Sequence, residues 1–413
     1  MPPGPISLFD KSFIQSLSID ESVWFDALYL PVVCPIFYAE TLADLSKEMK
    51  GDKTAAEEVA KIANKFPDMG GTPCLGHMDL CIGNLLGHRV SMNGRIMTPG
   101  GYPVKDRGKT GYVFDKFPEV EAFNRWQQGE FQFVEDNLAR FWRASVTNLD
   151  LNKQAEIFRS AGIDNKTCKS LDDAKGIASQ IIHVSKPFDQ MALLVHFLNI
   201  PPEFQQEILK RWNLMNYPPL AIFAPYAAFV LEVELFFQIA VASKLIASER
   251  PSNRVDISYL FYLPFCMIFI SSDKLHRRCA AHFLRHDQEF VWGQDLKTDL
   301  GRINKRHLSL PEETKQIGVL SFANGPPKEA GFLTTELWDK HMNPSWRDRQ
   351  EIRHQMPNNS PNLVSSMRNI GDAPPTKTEE VDLNDIQSMT LKRMVRKKKG
   401  SWFQIHRNIR HDV

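Results

Sequence analysis

The stretch Tyr-Leu-Pro-Phe-Cys-Met-Ile-Phe-Ile-Ser-Ser-Asp-Lys-Leu-His, residues 262–276, decides the fold class of this chain. Its apolar, β-prone part predicts a buried strand, and Ser271, Ser272 and Asp273 follow where that strand ends. A helix-like segment comes next, at residues 275–285. In α/β folds the ligands bind beyond the carboxyl ends of the strands. We therefore expect Asp273 to lie in a functional site.

Three further acids stand at the edges of predicted elements. Asp10 ends the strand-like run at residues 6–10, Glu40 starts the helix after a second strand at 32–38, and Asp256 starts a short helix. Clustered carboxylates provide the oxygen ligands that Mg²⁺ and Mn²⁺ prefer, and paired ions can activate water for phosphodiester hydrolysis. A single acid at such a position is usually a helix cap or a turn residue. Four acids in this order favour an active site.

The composition is that of a soluble globular protein. Of 413 residues, 43% are hydrophobic and 24% charged, and the net charge of +1 excludes a global field that attracts nucleic acid. The start of the chain has no signal-peptide pattern, and the six cysteines form no disulfide pattern, which predicts a cytoplasmic protein. Residues 218–247 are apolar, but Pro225, Glu232 and Glu234 interrupt them. We therefore expect a buried helix and no membrane association.

Four short motifs together resemble PIN-domain nucleases, in which a strand ends in Asp and Ser or Thr follows two residues later. Residues 8–12, Leu-Phe-Asp-Lys-Ser, resemble this opening, and residues 37–42 resemble the helix start that carries the second acid of the family. Residues 256–260 and 270–273 resemble the segments of its third and fourth acids. The similarity extends over two parts of the chain, residues 6–50 and 219–292.

This resemblance implies a Mg²⁺- or Mn²⁺-dependent nuclease, with RNA as the expected substrate. Its catalytic and metal-binding residues would be four carboxylates: Asp10, Glu40, Asp256 and Asp273. In the outer shell, Ser12 and Ser271 would hydrogen-bond a carboxylate or a metal-bound water. Asp44 is either an auxiliary ligand or a solvated helix residue. The alternative function is a catalytically inactive PIN-like scaffold that binds RNA or protein partners.

The fold implied is an α/β PIN-like domain with a central, mainly parallel sheet flanked by helices. Its two halves, residues 1–50 and 216–300, would be separated by a mainly helical insertion at 51–215. A C-terminal extension at 301–355 and a flexible basic tail at 356–413 would follow. The insertion or the tail is the candidate surface for a protein partner.

Two local basic segments are candidates for binding a nucleic-acid backbone. One contains Lys105, Arg107 and Lys109, in a region that is rich in Gly and Pro and predicted to form loops. The other is the basic run at 392–399, which precedes Trp402 and Phe403. Beside a nuclease site, both aromatic side chains are candidates to stack on unpaired bases. The tail is equally a candidate to bind a protein partner or an acidic membrane surface.

Overall fold

The computed structural model describes residues 4–48, 54–98, 100–106, 109–114, 117–348, 369, 373–377, 388–391 and 395–408. Its strands are β1 (Ile6–Phe9), β2 (Leu30–Val33), β3 (Thr72–Pro73), β4 (Gly101–Asp106), β5 (Lys109–Phe114), β6 (Ile268–Ser271), β7 (Glu289–Trp292), β8 (Ser388–Leu391), β9 (Lys398–Lys399) and β10 (Trp402–Phe403).

The helices of these ranges are α1 (Lys11–Ser16), α2 (Ile19–Leu28), α3 (Pro35–Glu48), α4 (Ala55–Ala63), α5 (His77–Leu85), α6 (Pro118–Gln127), α7 (Phe133–Thr147), α8 (Leu151–Ser160), α9 (Leu171–Val184), α10 (Pro187–Phe197), α11 (Pro202–Leu214), α12 (Leu220–Phe223), α13 (Pro225–Ala242), α14 (Asn253–Ser258), α15 (Lys274–Cys279), α16 (Gly293–Leu308), α17 (Glu312–Gln316), α18 (Val319–Phe322) and α19 (Leu333–His341). Two 3₁₀ helices, Tyr259–Phe265 and Ala280–His282, flank β6 and α15.

A five-stranded parallel sheet with helices around it forms the centre of the molecule, in the order β3-β2-β1-β6-β7. This confirms the predicted α/β class. Strand β2 pairs with one edge of β1, and the chain later returns to pair β6 with the other edge of β1. Such a reversal of strand order is a topological switch point, where α/β sheets bind their ligands. Here it lies between β1 and β6, which pair with Phe9 opposite Ile270.

Two regions between β1 and α5 differ from the predicted pattern. The apolar run 32–38 was expected to be one strand, but β2 ends at Val33 and α3 begins at Pro35. Proline suits the first turn of a helix, where its missing N–H costs no hydrogen bond. Glu40 therefore lies in the second turn of α3 rather than at its start. Within the predicted insertion, β3 pairs with β2 and so belongs to the central sheet.

Helix α13 lies in the core. Among the described residues it is the one helix long and apolar enough to cross a membrane, and 89% of its 18-residue window is buried. Its two acids are paired, since Glu232 lies 2.5 Å from the Lys175 ammonium and Glu234 lies 2.6 Å from the Arg254 guanidinium. The prediction of a buried helix is confirmed, and the burial indicates the core helix of a soluble protein.

The described part of the predicted tail packs against the body of the molecule. Trp402 is fully buried, and its indole N–H donates to Asn304 Oδ1 over 2.8 Å, so it offers no face to a base. Lys399 is also buried and donates to the carbonyl of Phe66 over 2.7 Å. Residues 395–408 are thus an anchored segment rather than a flexible tail. The other residues of 356–413 lie largely outside the described ranges.

Buried carboxylates hold this segment in place. Arg396 lies 3.0 Å from Asp68 Oδ2, and the Lys399 charge acts on both Asp26 and Asp68. Asp26 also accepts hydrogen bonds from the backbone N–H groups of Met69 and Gly70, at 2.7 and 2.6 Å. We call this group of two acids and two cations the C-terminal anchor: Asp26, Asp68, Arg396 and Lys399.

Candidate active site

The two acids that end sheet strands both cap helices. Asp10 follows β1, and its Oδ1 accepts a hydrogen bond from the N–H of Phe13 over 2.9 Å at the start of α1. Asp273 follows β6, and its Oδ1 accepts from the N–H of Leu275 over 2.5 Å at the start of α15. Capping fixes the direction of each carboxylate. Both therefore lie at the switch point of the sheet.

Two serine hydroxyl groups bind the buried carboxylate of Asp10. Ser12 Oγ and Ser271 Oγ donate to Asp10 Oδ2 over 2.6 and 2.7 Å. Ser271 Oγ in turn accepts from the N–H of Asp273 over 2.9 Å, which links the acids after β1 and β6. Burial acts to raise the pKa of Asp10, but hydrogen bonds from His276 and both serines, with the His276 charge, bring it below its usual range.

His276 connects three segments of the site and is only 1% exposed. Its Nε2 lies 2.7 Å from the backbone carbonyl of Asp256, which can only accept a hydrogen bond. Its Nδ1 lies 2.8 Å from Ser271 Oγ and 3.3 Å from Asp10 Oδ2. With the Ser271 hydroxyl donating to Asp10, both ring nitrogens of His276 are placed to donate, as in an imidazolium. Burial opposes this charge, but the Asp10 carboxylate raises the pKa of His276 to about 9.

Glu40 and Asp256 are half-buried acids with raised pKa values. Burial and the negative charges of Asp256 and Asp10 raise the pKa of Glu40 to about 8, although Lys11 opposes the shift. Burial, with the charges of Asp273, Asp10 and Asp44, raises the pKa of Asp256 to about 7 against the opposing charge of His276. These mutual effects indicate that acids from residues 10–44 and from residues 256–273 lie close together.

The carboxylates differ in how many protein donors they have. Tyr259 donates its hydroxyl to Glu40 Oε2 over 2.6 Å. Within the described ranges, the carboxylate of Asp256 accepts no hydrogen bond and forms no ion pair. Asp256 is therefore the acid of this group that is most available to a bound cation.

Lys11 is a second buried cation among the acids. It directly follows Asp10, is 2% exposed, and places its ammonium 3.0 Å from Asp44 Oδ2. Lys11 and His276 are absent from the predicted site, because lysine and histidine near an element end are usually solvated. The sequence signal that could have identified them is their position one and three residues after a strand-end acid. We call the whole group the acid site: Asp10, Glu40, Asp44, Asp256, Asp273, Lys11 and His276.

A divalent cation fits the chemistry of the acid site, since carboxylate oxygens are the ligands that Mg²⁺ and Mn²⁺ prefer. The side chains are not gathered around one point, however. In the part of the chain that the structure describes, no three or more His, Cys, Asp or Glu side chains are arranged to hold a metal ion. Asp256, Asp273 and Glu40 would have to turn toward each other to bind one.

The basic residues expected to grip nucleic acid lie in a different sheet. Lys105 is exposed on β4, and Lys109 begins β5; the two strands form a hairpin that pairs with β8 rather than with the central sheet. The structure therefore replaces a predicted loop by a hairpin. Arg107 lies outside the described residues.

No family model, curated protein or solved structure matches this chain. What the fold establishes is an α/β architecture built on a five-stranded parallel sheet. A relationship to PIN-domain nucleases depends on the four motifs and remains a proposal.

Proposed function

We propose that the protein is a Mg²⁺- or Mn²⁺-dependent nuclease that hydrolyses phosphodiester bonds, with RNA as the substrate implied by the family resemblance. The observation that supports this most strongly is the assembly of the acid site. Five carboxylates come from four separate segments: the end of β1, helix α3, helix α14 and the end of β6. They lie around the switch point of a parallel sheet, the usual ligand position in this architecture.

The charge of the acid site supports cation binding. Among the described residues, two buried cations, Lys11 and His276, act on the four acids Asp10, Glu40, Asp256 and Asp273, so the negative charges of these acids are not fully compensated. Burial, together with this excess of negative charge, raises the pKa values of Glu40 and Asp256. A divalent ion would relieve the repulsion and keep both carboxylates ionised at neutral pH.

The residues divide into two roles in this proposal. Asp256, Glu40 and Asp273 would hold the ion, which supplies Lewis-acid activation of water and stabilises charge on the leaving oxygen. Asp10 holds the site together, because it accepts hydrogen bonds from Ser12, Ser271 and the start of α1. Its remaining lone pairs give it a secondary part in binding the ion.

The replacement Asp256→Asn tests this function with little risk to the fold, because that carboxylate has no hydrogen bond to lose among the described residues. Single-stranded RNA and DNA are incubated with purified protein and Mn²⁺, Mg²⁺ or EDTA. We expect cleavage of RNA with Mn²⁺, none with EDTA, and a loss of about 100-fold or more in Asp256→Asn.

Glu313→Gln is the matched control, because Glu313 is exposed on α17 and should leave cleavage unchanged. Equal cleavage by the wild type and Asp256→Asn would show that a contaminating enzyme is responsible. That result would overturn the proposal.

One observation favours the second candidate, an inactive scaffold that binds RNA or protein. Asp10 Oδ2 already has close contacts with Ser12, Ser271 and His276, so protein groups take positions that a metal ion could use. The same experiment separates the candidates. A scaffold would retain RNA in a filter-binding or anisotropy assay and cleave neither RNA nor DNA with either ion.

A further inference from the structure

The helical region between residues 184 and 222 exposes a group of large apolar side chains. Here the last residue of α9, the first turn of α10, the end of α11 and helix α12 meet. We call this surface the apolar corner: Val184, Phe188, Leu214, Met215, Tyr217 and Ile222. Val184, Phe188, Leu214 and Ile222 are 78%, 61%, 89% and 69% exposed, respectively. Contiguous apolar patches of this kind on a soluble protein usually mark an interaction surface.

The helix ends that carry the corner are packed together. The ring of Phe188 lies 4.9 Å from that of Trp212 and 5.1 Å from that of Tyr217. Gln190 connects the three helix ends, since its amide donates to the Ser185 carbonyl over 2.7 Å and accepts from the N–H of Leu220 over 2.8 Å. The rings of Phe188 and Tyr217 are therefore held in place before any partner binds, which reduces the entropy lost on association.

The loop of the corner has an unfavourable backbone. Asn216 and Tyr217 both have positive φ angles, 61° and 55°, a conformation that asparagine tolerates and a bulky tyrosine rarely adopts. The strain presents the Tyr217 ring next to Phe188. Strained residues of this kind concentrate at binding sites, where the surrounding structure maintains them.

The charges around Phe188 have both signs. Lys186 and Asp189 are exposed on either side of it, and among the described residues neither forms an ion pair. In an interface with two-fold symmetry every contact occurs twice, because residue i of one copy meets residue j of the other, and residue j of the first meets residue i of the second. Lys186 of one copy can thus face Asp189 of a second copy, and the reverse, around an apolar centre.

We propose that the apolar corner is a homodimer interface with two-fold symmetry, in which the occupant is a second copy of this chain. The aromatic group around Phe188 forms its centre, and the Lys186 and Asp189 charges form its rim. This arrangement matches the usual anatomy of protein interfaces, with buried aromatic anchors inside a polar border. The proposal is independent of the nuclease activity.

Sedimentation velocity of the full chain over a range of concentrations tests the proposal. We expect the wild type to be a dimer from about 1 μM upward. Ile222→Glu and Phe188→Ser should each weaken dimerisation by at least ~10-fold, because each removes an apolar contact at the centre. Phe141→Ser, at another exposed aromatic on α7, should leave the dimer unchanged. Circular dichroism verifies that each variant is folded.

A charge exchange distinguishes a second copy from any other partner. Lys186→Asp should weaken the dimer by placing like charges opposite each other, and adding Asp189→Lys in the same chain should restore it. A monomer at all concentrations would overturn the proposal. A dimer insensitive to Ile222→Glu and Phe188→Ser would also overturn it, as would a failure of the double exchange to restore what the single exchange weakens.

Discussion

The acid site and the C-terminal anchor are both clusters of buried charge, yet they are balanced differently. In the anchor, Asp26 and Asp68 are matched by Lys399 and Arg396, and the N–H groups of Met69 and Gly70 complete the hydrogen bonds of Asp26. In the acid site, two buried cations, Lys11 and His276, act among the described residues on four carboxylates, those of Asp10, Glu40, Asp256 and Asp273, and Asp256 has no donor there.

This difference shows how a structural cluster is distinguished from a functional one. A cluster that only stabilises the fold gains nothing from uncompensated charge, because each unpaired buried ion costs several kcal/mol or changes its protonation. In the acid site, the crowding of buried carboxylates costs stability and raises the pKa values of Glu40 and Asp256. We therefore expect charge removal to have opposite effects in the two regions.

The largest effect should come from breaking the anchor. Lys399→Met removes the buried ammonium between Asp26 and Asp68, and we expect the free energy of unfolding to fall by about 3–5 kcal/mol. Urea denaturation followed by tryptophan fluorescence measures it. Lys398→Met is the matched control, since Lys398 is the exposed neighbour on β9 and should change stability by less than about 0.5 kcal/mol. Equal effects of both changes would show that the anchor is not held by its charges.

The acid site should dominate the pH dependence of stability above neutrality. Burial and neighbouring charges raise the pKa values of Glu40 to about 8, Asp256 to about 7 and His276 to about 9. Each group holds its proton more tightly when folded, so its stabilising contribution is lost as pH rises through the folded-state pKa. The free energy of unfolding should fall by about 4 kcal/mol between pH 7 and pH 9 in a metal-free buffer.

Asp26 of the anchor contributes little in that window. Burial raises the pKa of Asp26 to about 6, so its contribution changes at lower pH. Denaturation curves at several pH values measure the slope, and Glu40→Gln should reduce it. A flat profile from pH 7 to 9 would contradict the coupling of these groups.

The smallest expected effect is a change in stability that has opposite signs in the two regions. Asp256→Asn removes a repelled charge without breaking a described hydrogen bond, so we expect it to stabilise the metal-free protein by about 1 kcal/mol at pH 7.5. Asp26→Asn is the counterpart in the anchor. Both oxygens of Asp26 accept backbone hydrogen bonds, so the same replacement there should destabilise the protein by about 1–2 kcal/mol. Thermal unfolding of the two variants should shift in opposite directions; shifts in the same direction would refute the distinction.

What could be predicted from the sequence followed the local pattern. The strands β1 and β6 end in acids because apolar runs followed by polar residues have that local meaning wherever the chain goes. The start of α3 is harder to predict from the sequence, because a short apolar run around Pro35 suits a strand and a buried helix equally. Length and periodicity do not separate the two in so few residues.

The burial of charged side chains could not be predicted, because it depends on partners far away in the chain. Lys399 lies 333 residues from Phe66, whose carbonyl it binds, and His276 lies 20 residues from Asp256. A basic run is predicted to be exposed to solvent unless the acids that pair with it are known. The same reasoning accounts for Lys11 and for the role of Trp402.

The order of the central strands also has a consequence for protein synthesis. Strand β1 pairs with β2 soon after both leave the ribosome, but its other edge waits for β6, which begins at Ile268. At usual rates of translation this interval is roughly 10 to 50 s. During it, the apolar strand at the middle of the final sheet has an open row of N–H and C=O groups, a template for pairing with another nascent chain. Folding of this protein in the cell should therefore depend on chaperones that bind the growing chain before residue 268 is made.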